Sequence, residues 1–116
     1  MANPKLPFSP FTSKGHLVFT SGQVHITPEG SLLEGTIQEQ THQVMKNLEA
    51  VLRQAGVTFA DVVKTTIYLT DMSFYKDVNQ VYASYVHEPY PARETVAVKE
   101  LPLGAKVEIS MIAAKG

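Results

Sequence analysis

Between residues 37 and 55 the apolar side chains recur at the period of an α-helix. Ile37, Val44, Met45, Leu48, Val51, Leu52 and Ala55 fall on one face, with polar residues elsewhere. Thr36 stands where an N-cap is needed, and Glu39 follows three residues on, which is the pattern of a capping box. Gly56 suits the left-handed position just past the helix end. A stripe of this length has to be buried, so the rest of the chain must supply a surface for it. The stripe therefore reads as core packing and not as a ligand site.

The run from Asp61 to Thr70 supplies such a surface. Val63, Thr65, Ile67 and Leu69 alternate with Lys64, Thr66, Tyr68 and Thr70, as in a strand with one apolar face. A second helix is expected from about Phe74 to Val86, capped by Asp71 or Ser73, with Phe74, Val78, Val81, Tyr82 and Tyr85 turned inward. Pro89 and Pro91 end it. Further strands are expected at residues 17–21, 24–26, 95–98 and 105–114, with turns at Thr27-Pro28-Glu29-Gly30 and Leu101-Pro102-Leu103-Gly104. Residues 1–15 read as an extended arm. This order implies one α+β domain over residues 1–116, with a single sheet of five or six strands and both helices on one face. The other face must then be solvated or covered by a second subunit, and Val and Ile on several strands favour a subunit.

Composition removes several classes of function. The net charge is −1, from 10 basic and 11 acidic residues, and no cluster of Lys or Arg suggests a nucleic-acid or membrane surface. Cysteine is absent, which excludes disulfides, thiolate nucleophiles and cysteine-based zinc sites and fits a cytoplasmic location. The four histidines, at positions 16, 25, 42 and 87, have no metal-ligand spacing. No cofactor-binding loop, serine-nucleophile elbow, signal peptide, membrane span or repeat is visible.

The most informative local run is Tyr90-Pro91-Ala92-Arg93-Glu94-Thr95-Val96, followed by Val107-Glu108-Ile109. A guanidinium is permanently charged and offers a rigid fork of donors that matches a carboxylate. Arg93 follows a proline and enters a β-branched run, so its fork is aimed. With Glu108 on the next strand, the pair suggests a site for a small anion. The competing reading, a surface Arg at a strand start and a Glu paired with a neighbouring Lys, is the commoner outcome for such residues taken alone.

Five motifs occur in order: Thr20-Ser21-Gly22-Gln23, Asp61 to Thr66, Val78-Asn79-Gln80-Val81-Tyr82, Pro91-Ala92-Arg93 and Val107-Glu108-Ile109. Together they resemble the Rid family, the reactive intermediate deaminases, also called YjgF-like or L-PSP proteins. The resemblance covers nearly the whole chain. It implies a chorismate-mutase-like fold, a homotrimer with sites between subunits, and hydrolysis of 2-imino acids to 2-oxo acids and ammonia without a cofactor. It implies that Arg93 grips the substrate carboxylate and that Glu108 positions the attacking water. Ser21, Gly22 and Asn79 correspond to positions that line or support the cleft. The chain departs from the usual pattern at Thr95, where a Cys or another small residue is common, at Glu94, where Ser or Thr is frequent, and at Phe8, where a Tyr is frequent. These changes leave the anion site but alter its lining, and Thr95 and Phe8 are thereby candidate lining residues.

Imine hydrolysis needs a carboxylate anchor, a placed water and a proton shuttle, and no metal or covalent nucleophile. A deaminase is thus the leading expectation. A protein that binds 2-oxo acids without turnover is the second, kept open by Glu94 and Thr95. An endoribonuclease, which the L-PSP name suggests, is the third, and the lack of a basic surface counts against it.

Overall fold

The computed structural model describes residues 6–116. In chain order the elements are β1 (Phe11–Lys14), β2 (Leu17–Thr20), β3 (Gln23–Val24), α1 (Ile37–Gln54), β4 (Val62–Leu69), α2 (Tyr75–Ala83), β5 (Ala92–Ala97) and β6 (Val107–Ala114). They form one six-stranded mixed sheet in the order β1-β2-β6-β4-β5, with β3 also paired to β6. The last strand is therefore central. Its residues Val107, Ile109, Met111 and Ala113 are buried, and they alternate with half-buried Glu108, Ser110, Ile112 and Ala114 on the other face. Only β4 and β5 are parallel, and α2 is the crossover between them.

Both helices cover the same face. Val44, Met45, Leu48 and Leu52 of α1 and Val78 and Tyr82 of α2 join Val18, Ile67, Leu69, Ile109 and Met111 of the sheet in one core. Each fully buried Leu or Val contributes about 1.5–3 kcal/mol, so this stripe is the main reason the helix stays on the sheet. The capping box at Thr36 and Glu39 is formed in both directions, at 2.8 and 3.1 Å. At the other end Gly56, at φ +82°, lets the Val57 amide bond back to Leu52.

Four details differ from the sequence expectation. The part of residues 1–15 that lies within the described residues is not simply an extended arm. Phe11–Lys14 pairs with β2 in a hairpin whose two-residue loop puts Gly15 first, at φ +59°. Residues 1–5 of that segment lie outside the described residues. In β4 a register shift between Val62 and Lys64 places Val62 in the core and leaves Val63 48% exposed. The second helix stops at Ala83 because Ser84 and Tyr85 bond back by three residues to Val81 and Tyr82, tightening the last turn. Strand β5 begins at Ala92, so Arg93 lies inside it and its direction is set by sheet pairing.

The face without helices carries Leu17, Phe19, Tyr68, Val96 and Ile112, interspersed with Lys64, Thr66, Glu94, Glu108 and Ser110, as the pairing registers require. Leu17 and Phe19 are each 38% exposed. No helix among the described residues is long and apolar enough to cross a membrane.

Candidate functional site

Strand pairing decides where each candidate side chain points. Arg93 is opposite Thr65 in the β4–β5 register, and Thr65 is fully buried under the helices. Arg93 therefore rises on the helix side, towards α2. Its Nη2 donates to the Tyr75 hydroxyl at 3.0 Å. Its guanidinium carbon lies 5.6 Å from the Tyr75 ring centre and 5.2 Å from that of Tyr82, so two aromatic rings hold the cation. Tyr82 is steadied in turn by donating to the Thr65 hydroxyl at 3.0 Å inside the core. Tyr75, Asn79 and Tyr82 stand at i, i+4 and i+7 of α2, hence on one stripe of the helix.

Beside this arrangement opens a cleft of about 350 Å3, lined by Arg93, Asn79, Tyr82, Ala83, Val86, Tyr90 and Pro91. Arg93 brings the charge and Asn79 a polar amide, and much of the remaining wall is apolar. Among the described residues no carboxylate forms a salt bridge with Arg93. Its charge is thus uncommitted to any carboxylate among the described residues. The Asn79 hydrogen bond, and then the Arg93 charge, hold the Tyr75 hydroxyl below its ordinary tyrosine range. Burial pushes Tyr82 the other way.

Glu108 is opposite Tyr68 and Val24 and projects from the helix-free face. Desolvation raises its carboxyl above the ordinary glutamate range. Its side chain packs directly over Gly22. A Cβ built at Gly22 would stand 2.7 Å from the Glu108 Cδ and 3.1 Å from its Cγ, so no side chain fits there without moving the carboxylate. Ser21, next to it, is committed to the N-terminal segment. Its hydroxyl donates to the Ser9 carbonyl at 2.5 Å, and its amide donates to the Pro10 carbonyl at 2.9 Å. That tie fixes the strand entry behind Phe8, which is 63% exposed.

The candidates thus fall into two groups. Arg93 and Asn79 stand on the helix side, and Glu108, Gly22 and the Ser21 tie stand together at the β3–β6 end. Glu108 was expected beside Arg93. Within one chain the pleat separates them onto opposite faces of the sheet. Thr95 follows Arg93 on the helix side, opposite Ile67, and its buried Oγ1 has no hydrogen-bond partner among the described residues. Glu94, expected to alter the lining around Arg93, points the other way and pairs with Lys64 at 3.0 Å.

Tyr75 was not singled out from the sequence, and Tyr82 was read only as packing. The signal was available: Tyr75, Asn79 and Tyr82 share helical spacing shortly before a strand with an arginine at its second position. Among the histidines, His25 is 2% exposed, with Nδ1 against the Leu33 carbonyl at 3.0 Å and Nε2 accepting from the Lys106 amide at 3.1 Å. Burial keeps it below the ordinary histidine range, and it serves as a strut between loops. Among the described residues no three His, Cys, Asp or Glu cluster as a metal would require.

Comparison with known proteins adds a family to this geometry. Reactive Intermediate Deaminase A of Arabidopsis thaliana, a chloroplastic protein, is 44% identical over 108 residues; the match covers 92% of this chain and 58% of that longer protein. Among solved structures, RidA from the Antarctic bacterium Psychrobacter sp. superposes with a TM-score of 0.91 at 38% identity, over 97% of this chain and 92% of that one. The structure of E. coli TdcF with bound serine gives 0.89 at 30% identity, over 97% and 91%. The family model described as Endoribonuclease L-PSP matches residues 2–115, and the chain belongs to that family, also called the Rid or YjgF-like family.

Proposed function

We propose that this protein is a hydrolytic deaminase of small, reactive 2-imino or enamine acids, releasing 2-oxo acids and ammonia. The observation that carries the reading is the Arg93 guanidinium, clamped between two tyrosine rings at the wall of a small cleft with no carboxylate of its own. A fork prepared in this way suits the carboxylate of a small substrate, by a charge-assisted bidentate pair. The serine held by the TdcF relative carries such a carboxylate.

Glu108 is the candidate base. Desolvation brings its carboxyl closer to neutrality, where a base both stays ionised and accepts a proton well. A water held by Glu108 attacks the C=N carbon of the protonated imine and gives a proton to the carboxylate, as the C=N electron pair moves to nitrogen. Glu108 passes that proton to the carbinolamine nitrogen, and ammonia leaves with the C–N electron pair while the hydroxyl proton goes to Glu108, leaving the 2-oxo acid. Because Arg93 and Glu108 rise from opposite faces of one sheet, the complete site requires two copies of the chain. A closed homotrimer, with the helix-free faces turned inward, would supply three such sites and cover Leu17, Phe19, Val96 and Ile112.

The test is ammonia release from imines generated in the reaction by an amino-acid oxidase, together with the mass of the particle by light scattering. The proposal expects acceleration over the uncatalysed hydrolysis and three times the chain mass. Binding of 2-oxo acids without acceleration would leave a carboxylate-binding protein, and a monomer at micromolar concentration would contradict the shared site. RNA cleavage by the purified protein would favour the activity in the family's name instead.

A further inference from the structure

The Arg93 fork has a hydroxyl beside it that the reaction above leaves unused. The Tyr75 oxygen accepts from Arg93 Nη2 at 3.0 Å, and Asn79 stands one turn further along the same stripe of α2. In that contact the oxygen is the acceptor, since a guanidinium can only donate. The hydroxyl proton is left without an acceptor among the described residues. The ring alone would satisfy the cation–π contact, and Tyr75 is 40% exposed, so core packing does not account for the hydroxyl. Arg93, which holds it, and Asn79, its neighbour on α2, line the cleft.

We propose that Tyr75 is a further substrate-binding residue: held by Arg93, it donates its hydroxyl proton to the same ligand carboxylate that the Arg93 fork grips. This rests on the reading of the cleft as a carboxylate site and does not require turnover. An O–H donor to a carboxylate makes a short, charge-assisted bond, and it would add a third point of attachment beside the planar fork. Such an anchor discriminates strongly against neutral ligands, because an amide brings less charge to either donor.

The groups facing the Tyr75 hydroxyl are Arg93 from β5 and Asn79 from α2. The neighbouring Tyr82 spends its hydroxyl on Thr65, and burial raises it, so it loses its proton later than Tyr75 as pH rises. Ionised Tyr75 can no longer donate, and its negative charge competes with the ligand for Arg93. Carboxylate binding should therefore weaken with rising pH before Tyr82 titrates.

The experiment is calorimetric binding of 2-oxobutanoate and of its neutral amide to the parent and to Tyr75→Phe, from about pH 7 to about pH 10. The expected result is an affinity for the acid lowered about tenfold in Tyr75→Phe at neutral pH, with the amide unaffected. The parent's advantage for the acid should vanish as pH rises. Equal affinities of parent and variant for the acid would overturn the proposal, as would equal losses for acid and amide, which mark a role for the ring or the fold. A Tyr75→Phe deficit that persists unchanged to the alkaline limit would overturn it too, since the hydroxyl would then act only by steadying Arg93. Expected binding without imine hydrolysis supports this proposal and sinks the deaminase reading. Hydrolysis by both proteins with the same KM does the reverse, and failure of the parent to bind 2-oxobutanoate or hydrolyse imines overturns both.

Discussion

On the helix side of the sheet a cation is surrounded by groups that welcome it: the rings of Tyr75 and Tyr82 and the Tyr75 oxygen. On the other side an anion is deprived of water, with Glu108 packed over a glycine and raised by desolvation. The first arrangement preserves a charge that must always be present to hold a ligand. The second makes a charge less comfortable, so that it accepts a proton more readily. An anchor gains from added partners and a base from lost solvent. That difference is a physical reason for the two groups to stand on separate faces of the sheet.

The largest effect should come from the base. Glu108→Gln keeps the shape of the side chain and can still bond a water, but it cannot take a proton. Turnover should fall by about 10²–10⁴-fold, with affinity for a 2-oxo acid unchanged. The same variant tests the desolvation. A carboxyl whose folded pKa is raised is a cost to the fold that is absent below its unfolded value and develops as pH rises through the folded one. Melting curves should show Glu108→Gln gaining on the parent from acid to neutral pH, whereas a constant difference would mean that Glu108 is not desolvated.

Next comes Gly22→Ala, beneath the Glu108 side chain. Its methyl group must displace the Glu108 carboxylate. Ammonia release should drop by up to about a hundredfold, since a shift of this kind misplaces the water. Thermal stability should change little, as the position is exposed. Unaltered turnover would show that the contact does not set the carboxylate's place.

On the anchor side, Arg93→Lys keeps the charge and loses the planar fork. Carboxylate affinity should weaken by about 1.5–3 kcal/mol for a lost charge-assisted bond. Saturated turnover should suffer less than in Glu108→Gln. The smallest effect is assigned to Glu94→Ala. Glu94 faces away from the cleft and holds only an exposed pair with Lys64, worth at most about 1 kcal/mol. Ligand affinity should not move, and a clear change would mean that Glu94 reaches a site after all.

The sequence carried the fold further than the site. The α1 stripe, its capping box and Gly56 are local patterns, and the structure reproduces each of them. The β1–β2 hairpin went unread because Phe11 to Lys14 is polar and short, although Lys14-Gly15-His16-Leu17 held a two-residue loop signal. The Val62–Lys64 shift left no mark in the alternation, since Val62 and Val63 are identical in character and either could have turned inward. For the site, residue types and motifs named Arg93, Asn79, Gly22 and Glu108, but the face on which each stands depends on pairing register. That register is a property of two strands, and no single run displays it. Glu94 was misread beside Arg93 for this reason, and Tyr75 was passed over because its partner lies 18 residues away.

The central claim is that one chain supplies the anchor and another the base. Mixing tests it directly. Arg93→Lys and Glu108→Gln chains, each assayed below saturation, where both are slow on their own, are unfolded together in equal amounts and refolded so that subunits exchange. If each site takes Arg93 from one copy and Glu108 from its neighbour, on the order of a quarter of the sites in random mixtures combine two intact halves. The account predicts that ammonia release reappears in the mixture, at roughly that fraction of the parent's rate. Mixed assemblies, verified by mass, that stay as slow as the separate variants would contradict it, because both residues would then act from a single chain.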